Sequence, residues 1–146
     1  MRLTAAKPRD AEPLAAILAD WKDETRWLPD LHSREEDAGF LARLIDTTDV
    51  IVLRNWRGAR GFLARDDQVV HALYIARQTR GQGHGRRLLD AAKAQSARLT
   101  LWTFQANTRA RAFYAREGFV EVEETDGAGN DEKLPDVRLE WHRSGA

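Results

Sequence analysis

The chain has 146 residues, 42% of them hydrophobic and 32% charged, with Lys+Arg and Asp+Glu both at 23 and a formal net charge of +0. That is the size of one ordinary domain, here 1–146, long enough to withdraw roughly 70% of its unfolded surface from water without covalent staples. Having no cysteine excludes disulfides, thiolate nucleophiles and cysteine-rich metal sites, and the balanced charge gives no general attraction to nucleic acid or an anionic membrane.

Arg2 to Ala6 reads as a short strand. A Pro8-Arg9-Asp10 turn leads into a helix with Pro13 in its first turn, where proline is tolerated, and Leu14, Ile17, Leu18 and Trp21 recur at helical spacing. Glu24 to His32 breaks that period and reads as a loop. Ser33 followed by Glu36 is a capping box for a second helix, with Phe40, Leu41, Leu44 and Ile45 on one face. Three strands are expected next: Val50 to Leu53, Arg60 to Ala64 and Val69 to Ala76, the last apolar on both faces and so central. A glycine-rich turn from Arg80 to Gly85 opens a helix running to Arg98, with Leu88, Leu89, Ala92 and Ser96 inward. Leu99 to Phe104 is a strand and Thr108 to Arg116 a short helix ended by Gly118. Phe119 to Thr125 and Val137 to Trp141 are two final strands joined by a polar loop. The order β-α-α-β-β-β-α-β-α-β-β predicts a mixed α/β sheet of about six or seven strands covered by helices. The opening residues lack the apolar run of a signal peptide, and no stretch approaches the ~20 apolar residues of a membrane span, so a cytoplasmic setting and no membrane partner are expected.

The chemistry is concentrated in Ile75 to Leu89, where a buried strand runs into Arg80-Gly81-Gln82-Gly83-His84-Gly85 and a helix starts at once. Glycines let the backbone turn sharply and approach a ligand, and the free amides and dipole of a helix N-terminus then form an anion site. The guest suited to it is a phosphate or pyrophosphate. A Walker loop would need Gly-Lys-Ser/Thr at its end, and a dinucleotide fingerprint would need its third glycine one residue later and a carboxylate about 20 positions on. Neither fits. The pattern left is R-x-x-G-x-G, filled by Arg80, Gly83 and Gly85.

On these residues the chain resembles the GNAT N-acetyltransferase superfamily, whose pyrophosphate loop has the form Arg/Gln-x-x-Gly-x-Gly/Ala. A second motif follows at the expected distance: Asn107-x-x-Ala110-x-x-Phe113-Tyr114-x-x-Glu117-Gly118-Phe119 matches N-x-x-A-x-x-F-Y-x-x-x-G-F. The resemblance covers about Val69 to Trp141 well and the N-terminal half only through element order. It implies a twisted, mostly antiparallel sheet with helices on both faces, acetyl-CoA as co-substrate, and direct transfer of its acetyl group to a primary amine in a ternary complex. It places the coenzyme's pyrophosphate on the backbone of Gly81, Gln82, Gly83, His84, Gly85 and Arg86 beside Arg80. Its pantetheine arm would lie against a splayed strand at Leu73, Tyr74 and Ile75, with Asn107 bonding the arm or capping the next helix. Tyr114 is implied as the general acid for the departing thiolate. Family members often carry a glutamate four residues before the position of Ile75; here it is His71, whose imidazole titrates near neutrality and could serve as base.

The acceptor wall is expected in the loop between the first two helices, from Trp27, Leu28, Pro29 and His32, with Asp23, Glu24 and Asp30 drawing a cation. A second acidic rim is expected at Asp126 to Asp136. A small-molecule or peptide amine is the expected partner. Strand alternation predicts that Tyr74 and His71 face opposite ways, and the ring of His84 is expected to point to solvent. The four histidines show no metal spacing, so no metal is expected. Two other readings keep the cofactor loop: an acyl-CoA-binding sensor without catalysis, and a toxin acetylating aminoacyl-tRNA. The family is often dimeric, and Trp56 and Trp141 are aromatics that such an interface would use.

Overall fold

Described residues of this computed structural model are 1–144; residues 145 and 146, the end of the expected 1–146 domain, lie outside them. The elements are β1 (Arg2–Ala5), α1 (Ala11–Glu24), α2 (Arg34–Thr47), β2 (Asp49–Asn55), β3 (Gly58–Asp66), β4 (Val69–Ile75), α3 (His84–Gln95), β5 (Arg98–Phe104), α4 (Thr108–Arg116), β6 (Val120–Thr125) and β7 (Asp136–His142). Their order is the one that periodicity predicts. The strands form one seven-stranded sheet in the order β1-β2-β3-β4-β5-β7-β6, in which only β4 and β5 are parallel.

Side-chain alternation divides the core between the two faces of this sheet. On one face, Leu14, Ile17 and Leu18 of α1 and Leu41 and Leu44 of α2 close over Val50, Val52, Phe62, Ala64 and Ala72. On the other, Leu88, Leu89 and Ala92 of α3, Tyr114 of α4 and Phe119 close over Leu53, Leu63, Leu99, Leu101, Val137 and Leu139. Each fully buried leucine contributes about 2 kcal/mol by leaving water. α2 starts with the reciprocal capping box, Glu36 N donating to Ser33 Oγ and Ser33 N to Glu36 Oε1, both at 3.1 Å. Two details differ from the periodic reading. Phe40 remains 39% exposed, outside the buried stripe of α2. α3 stops at Gln95, because Ser96 is extended and its hydroxyl donates to the Arg98 carbonyl at 2.7 Å, so Ser96 takes no inward helical position.

One ion pair ties the start of α1 to the sheet. The Arg54 guanidinium donates twice to the Asp10 carboxylate, at 2.9 and 2.6 Å, and its Nε donates to Thr4 Oγ1 at 2.6 Å. Asp10 also accepts from the Lys7 amide at 2.7 Å and is only 4% exposed. The hydrogen bonds from Arg54 hold its carboxyl below the usual carboxylate range, against an opposing push from burial. Asp10→Asn should destabilise the fold by about 3 kcal/mol in urea titrations, because it leaves Arg54 half-buried without its counter-ion. The lowered native pKa makes the contribution of Asp10 complete above about pH 4, and it is lost as pH falls through the lowered value. The stability difference between wild type and variant should therefore shrink below about pH 4.

Candidate active site

The β4–β5 ladder consists of a single register pair, Val69↔Thr100, reinforced by the Thr100 amide donating to the Gln68 carbonyl at 2.8 Å. Beyond that pair the strands part toward their C-terminal ends. β4 also carries a bulge: Ala64 pairs with Ala72 and Arg65 with Val70, which leaves His71 as the extra residue. Counting outward from the Ala76 amide, which donates to Arg60 O at 2.8 Å, antiparallel alternation commits the peptide groups of Tyr74 and Ala72 to β3. Those of Leu73 and Ile75 are turned toward the gap. The Ile75 carbonyl is taken up by Arg80 Nε at 3.0 Å. A cleft of about 950 Å³ fills the wedge.

At the mouth of the wedge the chain makes the glycine turn. Gly81 and Gly83 adopt φ of 74° and 82°, and a Cβ at either would meet nothing within 4 Å, so their freedom serves backbone shape and an open approach. The first bond of the new helix is Arg87 N to Gly83 O at 3.1 Å. Amides from Gly81 to Arg86 find no acceptor among the described residues. Gly85 has a different reason: a Cβ there would stand 3.2 Å from Phe113 Cζ, so α3 and α4 cross closely at this point. α4 begins beside it, with Asn107 Oδ1 accepting from the Ala110 amide at 3.1 Å. Asn107 is therefore a helix cap, and its side-chain NH₂ remains uncommitted. Two helix N-termini thus converge on the opening, an arrangement that attracts an extended anion.

Arg80 has a more specific partner than a phosphate. Its guanidinium forks onto the Glu24 carboxylate, Nη1 to Oε2 at 2.8 Å and Nη2 to Oε1 at 2.7 Å, while Arg77 approaches the same carboxylate at 3.3 Å. Glu24 is the last residue of α1, so this fork joins the glycine turn, the end of β4 and the start of the α1–α2 loop. Hydrogen bonds from Arg80 hold the Glu24 carboxyl below the usual range. Nothing in the periodicity of α1 signalled this role for Glu24.

The cleft is lined by His71, Leu73, Tyr74, Ile75, Arg80, Gly81, Gly83, His84, Gly85, Arg86, Asn107, Tyr114 and Trp27, but not by Gln82. Leu28, Pro29 and His32 line a separate depression of about 370 Å³ with Lys22 and Asp37, because the loop turns away after Trp27. Asp23 and Asp30 also lie there, and no residue of the 126–136 loop lines the main cleft. His71 and Tyr74 both line this cleft, which takes in consecutive residues from both faces of β4, and the bulge at His71 locally interrupts the strand's pairing. His71 is exposed and makes no hydrogen bond with any described residue. The ring of His84 is not turned to solvent, since its Nε2 is buried without a partner. Tyr114 is 8% exposed, stacked edge-on between Phe113 and Phe119, and its hydroxyl donates to no described group. Burial, with a smaller contribution from nearby Tyr74, raises the Tyr114 pKa well above that of an ordinary tyrosine. Burial likewise pushes Tyr74 up to about 12. Both hydroxyls are protonated at neutral pH. Among the described residues no group of three or more His, Asp or Glu is placed to hold a metal, and no helix is long and apolar enough to cross a membrane.

A family model for the acetyltransferase (GNAT) domain matches residues 31–121. The chain belongs to the GNAT acetyltransferases. Its fold is similar to the apo solution structure of YjaB from Escherichia coli, at 24% identity and TM-score 0.80, covering 99% of this chain and 100% of that one. It is also similar to a ribosomal-protein-alanine N-acetyltransferase from Brucella melitensis (21% identity, 97% and 99% covered, TM-score 0.73). The third is yncA from Salmonella typhimurium, solved with its cofactor acetyl-CoA (16% identity, 97% and 93% covered, TM-score 0.73). No curated protein matches the chain by sequence.

The fork at Glu24 generates a prediction about this GNAT site. Glu24→Gln should weaken acetyl-CoA binding several-fold in calorimetry, because a neutral amide holds the guanidinium less tightly and loosens the turn that it anchors. The lowered native pKa of Glu24 means that the wild-type fork is intact above about pH 4.5 and fails as pH falls through the lowered value. The affinity gap between wild type and variant should close on acidification.

Proposed function

We propose that residues 1–146 act as one domain that transfers the acetyl group of acetyl-CoA to a primary amine. The observation that carries this reading is the wedge itself: one open strand edge leads to a turn of unpartnered amides, and Tyr114 lines the cleft between them. Amides from Gly81 to Arg86 suit a pyrophosphate, and Cβ-free Gly81 and Gly83 leave them accessible. The Leu73 N–H and C=O and the Ile75 N–H suit the amides of an extended pantetheine arm, which would complete the ladder that β5 abandons, the Ile75 carbonyl being held by Arg80. Acetyl-CoA supplies the thioester whose carbonyl carbon the amine attacks.

In this reading a C–N bond forms as the C–S bond breaks, and the electron pair of that bond stays on sulfur. The amine must lose a proton and the thiolate must gain one. An alkylamine with a pKa near ~10.4 presents a neutral nitrogen at pH 7 only at a penalty of about 4 kcal/mol, so a nearby base helps. His71 is positioned by the bulge at the cleft wall and receives that proton directly or through water. Tyr114, kept protonated by burial, donates to the sulfur, whose proton affinity rises in the same desolvated site. The setting is a cytoplasmic one, with a small-molecule or peptide amine as partner and no nucleic acid, membrane or metal.

Two measurements test this. Acetyl-CoA titrated calorimetrically should bind the wild type and fail to bind a Gly83→Trp variant that remains folded by circular dichroism, Gly83 having open space around it. Tyr114→Phe should keep acetyl-CoA affinity while lowering kcat by about 10²-fold in a thiol-release assay. In the same assay His71→Ala should lower kcat while acetyl-CoA affinity holds. An unchanged kcat in Tyr114→Phe would rule out its role as the acid, and binding without turnover on a broad amine panel would favour a sensor of acyl-CoA.

A further inference from the structure

Four aromatic side chains span the α1/α2 side of the wedge. Tyr74 of β4 lies against Trp21 of α1 with ring centroids 5.2 Å apart, Trp21 meets Trp27 at 6.3 Å, and Trp27 meets Phe104, at the end of β5, at 5.6 Å. The row therefore runs from one diverging strand to the other. All four residues line the cleft, and Trp21 and Tyr74 pack against the core cluster under α1 and α2. Trp27 is 36% exposed, so part of its surface is spent on neither core nor neighbour. Flat aromatic walls reward flat apolar guests, through area and through edge-to-face contacts.

Charge at this end is equally specific. Among the described residues the only carboxylates lining the cleft are Glu24 and Glu117. Glu24 is held by Arg80 and Arg77, and Glu117 faces Arg86 at 3.7 Å. Arg26, adjacent to Trp27 in the chain, lines the cleft and makes no ion pair or hydrogen bond with any described residue. Arg109 and Arg116, the other unpaired cations of the cleft, sit on α4. Glu132 and Asp37 act on Tyr74 from outside the cleft lining, and Asp37 is held by Lys22. At Arg26 itself a polyamine would bring like charge, and each carboxylate that lines the cleft is already held by an arginine. An anionic group would instead complete the unpaired guanidinium.

We propose that the acceptor is a small amine on a flat apolar body that also carries a carboxylate or similar anion, the body resting on Trp27 and Trp21 and the anion on Arg26. This rests on the acetyl transfer proposed above and names its substrate class. Trp27 and Arg26 then act as specificity-determining residues at the acceptor end.

The test measures thiol release at saturating acetyl-CoA with L-tryptophan, L-phenylalanine, tryptamine and spermidine as acceptors, beside calorimetric binding of acetyl-CoA. The two amino acids should exceed tryptamine and spermidine in kcat/KM by about tenfold or more. Trp27→Ala should raise KM for L-tryptophan about tenfold while acetyl-CoA affinity holds, and Trp27→Phe should restore part of the loss. Arg26→Gln should erase the preference for L-tryptophan over tryptamine. Spermidine as the best acceptor, indifference to Trp27→Ala, or no turnover with any of the four by a protein that binds acetyl-CoA would each overturn the substrate class and leave the cofactor reading standing. Failure to bind acetyl-CoA would instead overturn the proposed function, and this inference with it.

Discussion

Strands β4 and β5 start side by side and share one register pair before separating, and the rest of the site follows from that parting. A parallel pair needs a long crossover between its strands, and here the crossover is the glycine turn and α3. The helix after β4 and the helix after β5 therefore both begin at the open end. Because the strands diverge, peptide groups at Leu73 and Ile75 are not used up by the sheet. Because α3 and α4 converge at Gly85 and Phe113, the opening stays narrow at its base. The bulge at His71 sits just beyond the last shared pair, where the strand must adjust its twist.

A split sheet has to be braced by something other than its ladder. On one face α3 and α4 bridge the halves through Leu88, Leu89 and Tyr114, packed in one cluster with Leu53 and Leu63 of one half and Leu99, Leu101 and Leu139 of the other. On the other, the Tyr74–Trp21–Trp27–Phe104 row reaches across from one half to the other. The fork between Arg80 and Glu24 adds a polar tie at the mouth. Glu24 ends α1 and Trp27 follows three residues later, so the glycine turn and the aromatic row share one short segment of chain.

Local signals were legible where the cause is local. The Ser33/Glu36 capping box, the left-handed glycines of the turn, the Asn107 cap and the leucines of α3 each rest on residues a few positions apart, and all appear in the structure. The family followed from two such motifs at fixed spacing. Contacts between distant segments were not legible. Arg80 has its carboxylate 56 positions away, and no periodicity announces that pairing. The bulge that exposes His71 depends on the register against β3, which one strand's sequence does not encode. Leu28, Pro29 and His32 fell on the other side of a loop whose direction is set by Trp27 meeting Phe104. Ser96 misled because helical spacing continues past the point at which its own hydroxyl favours an extended backbone.

The parting of β4 from β5 also has a bearing on solubility. An unpaired strand edge is ordinarily a hazard, because any extended chain can dock on it and seed aggregation. Most sheets defend their edges with charge, proline or covering loops at the perimeter. Here the vulnerable edge has been turned inward, between α3 and α4 and the aromatic row, so that a strand would have to pass them to pair with it. The parting thus creates an open edge and, by its position inside the fold, shields it without the charges or prolines that perimeter strands use.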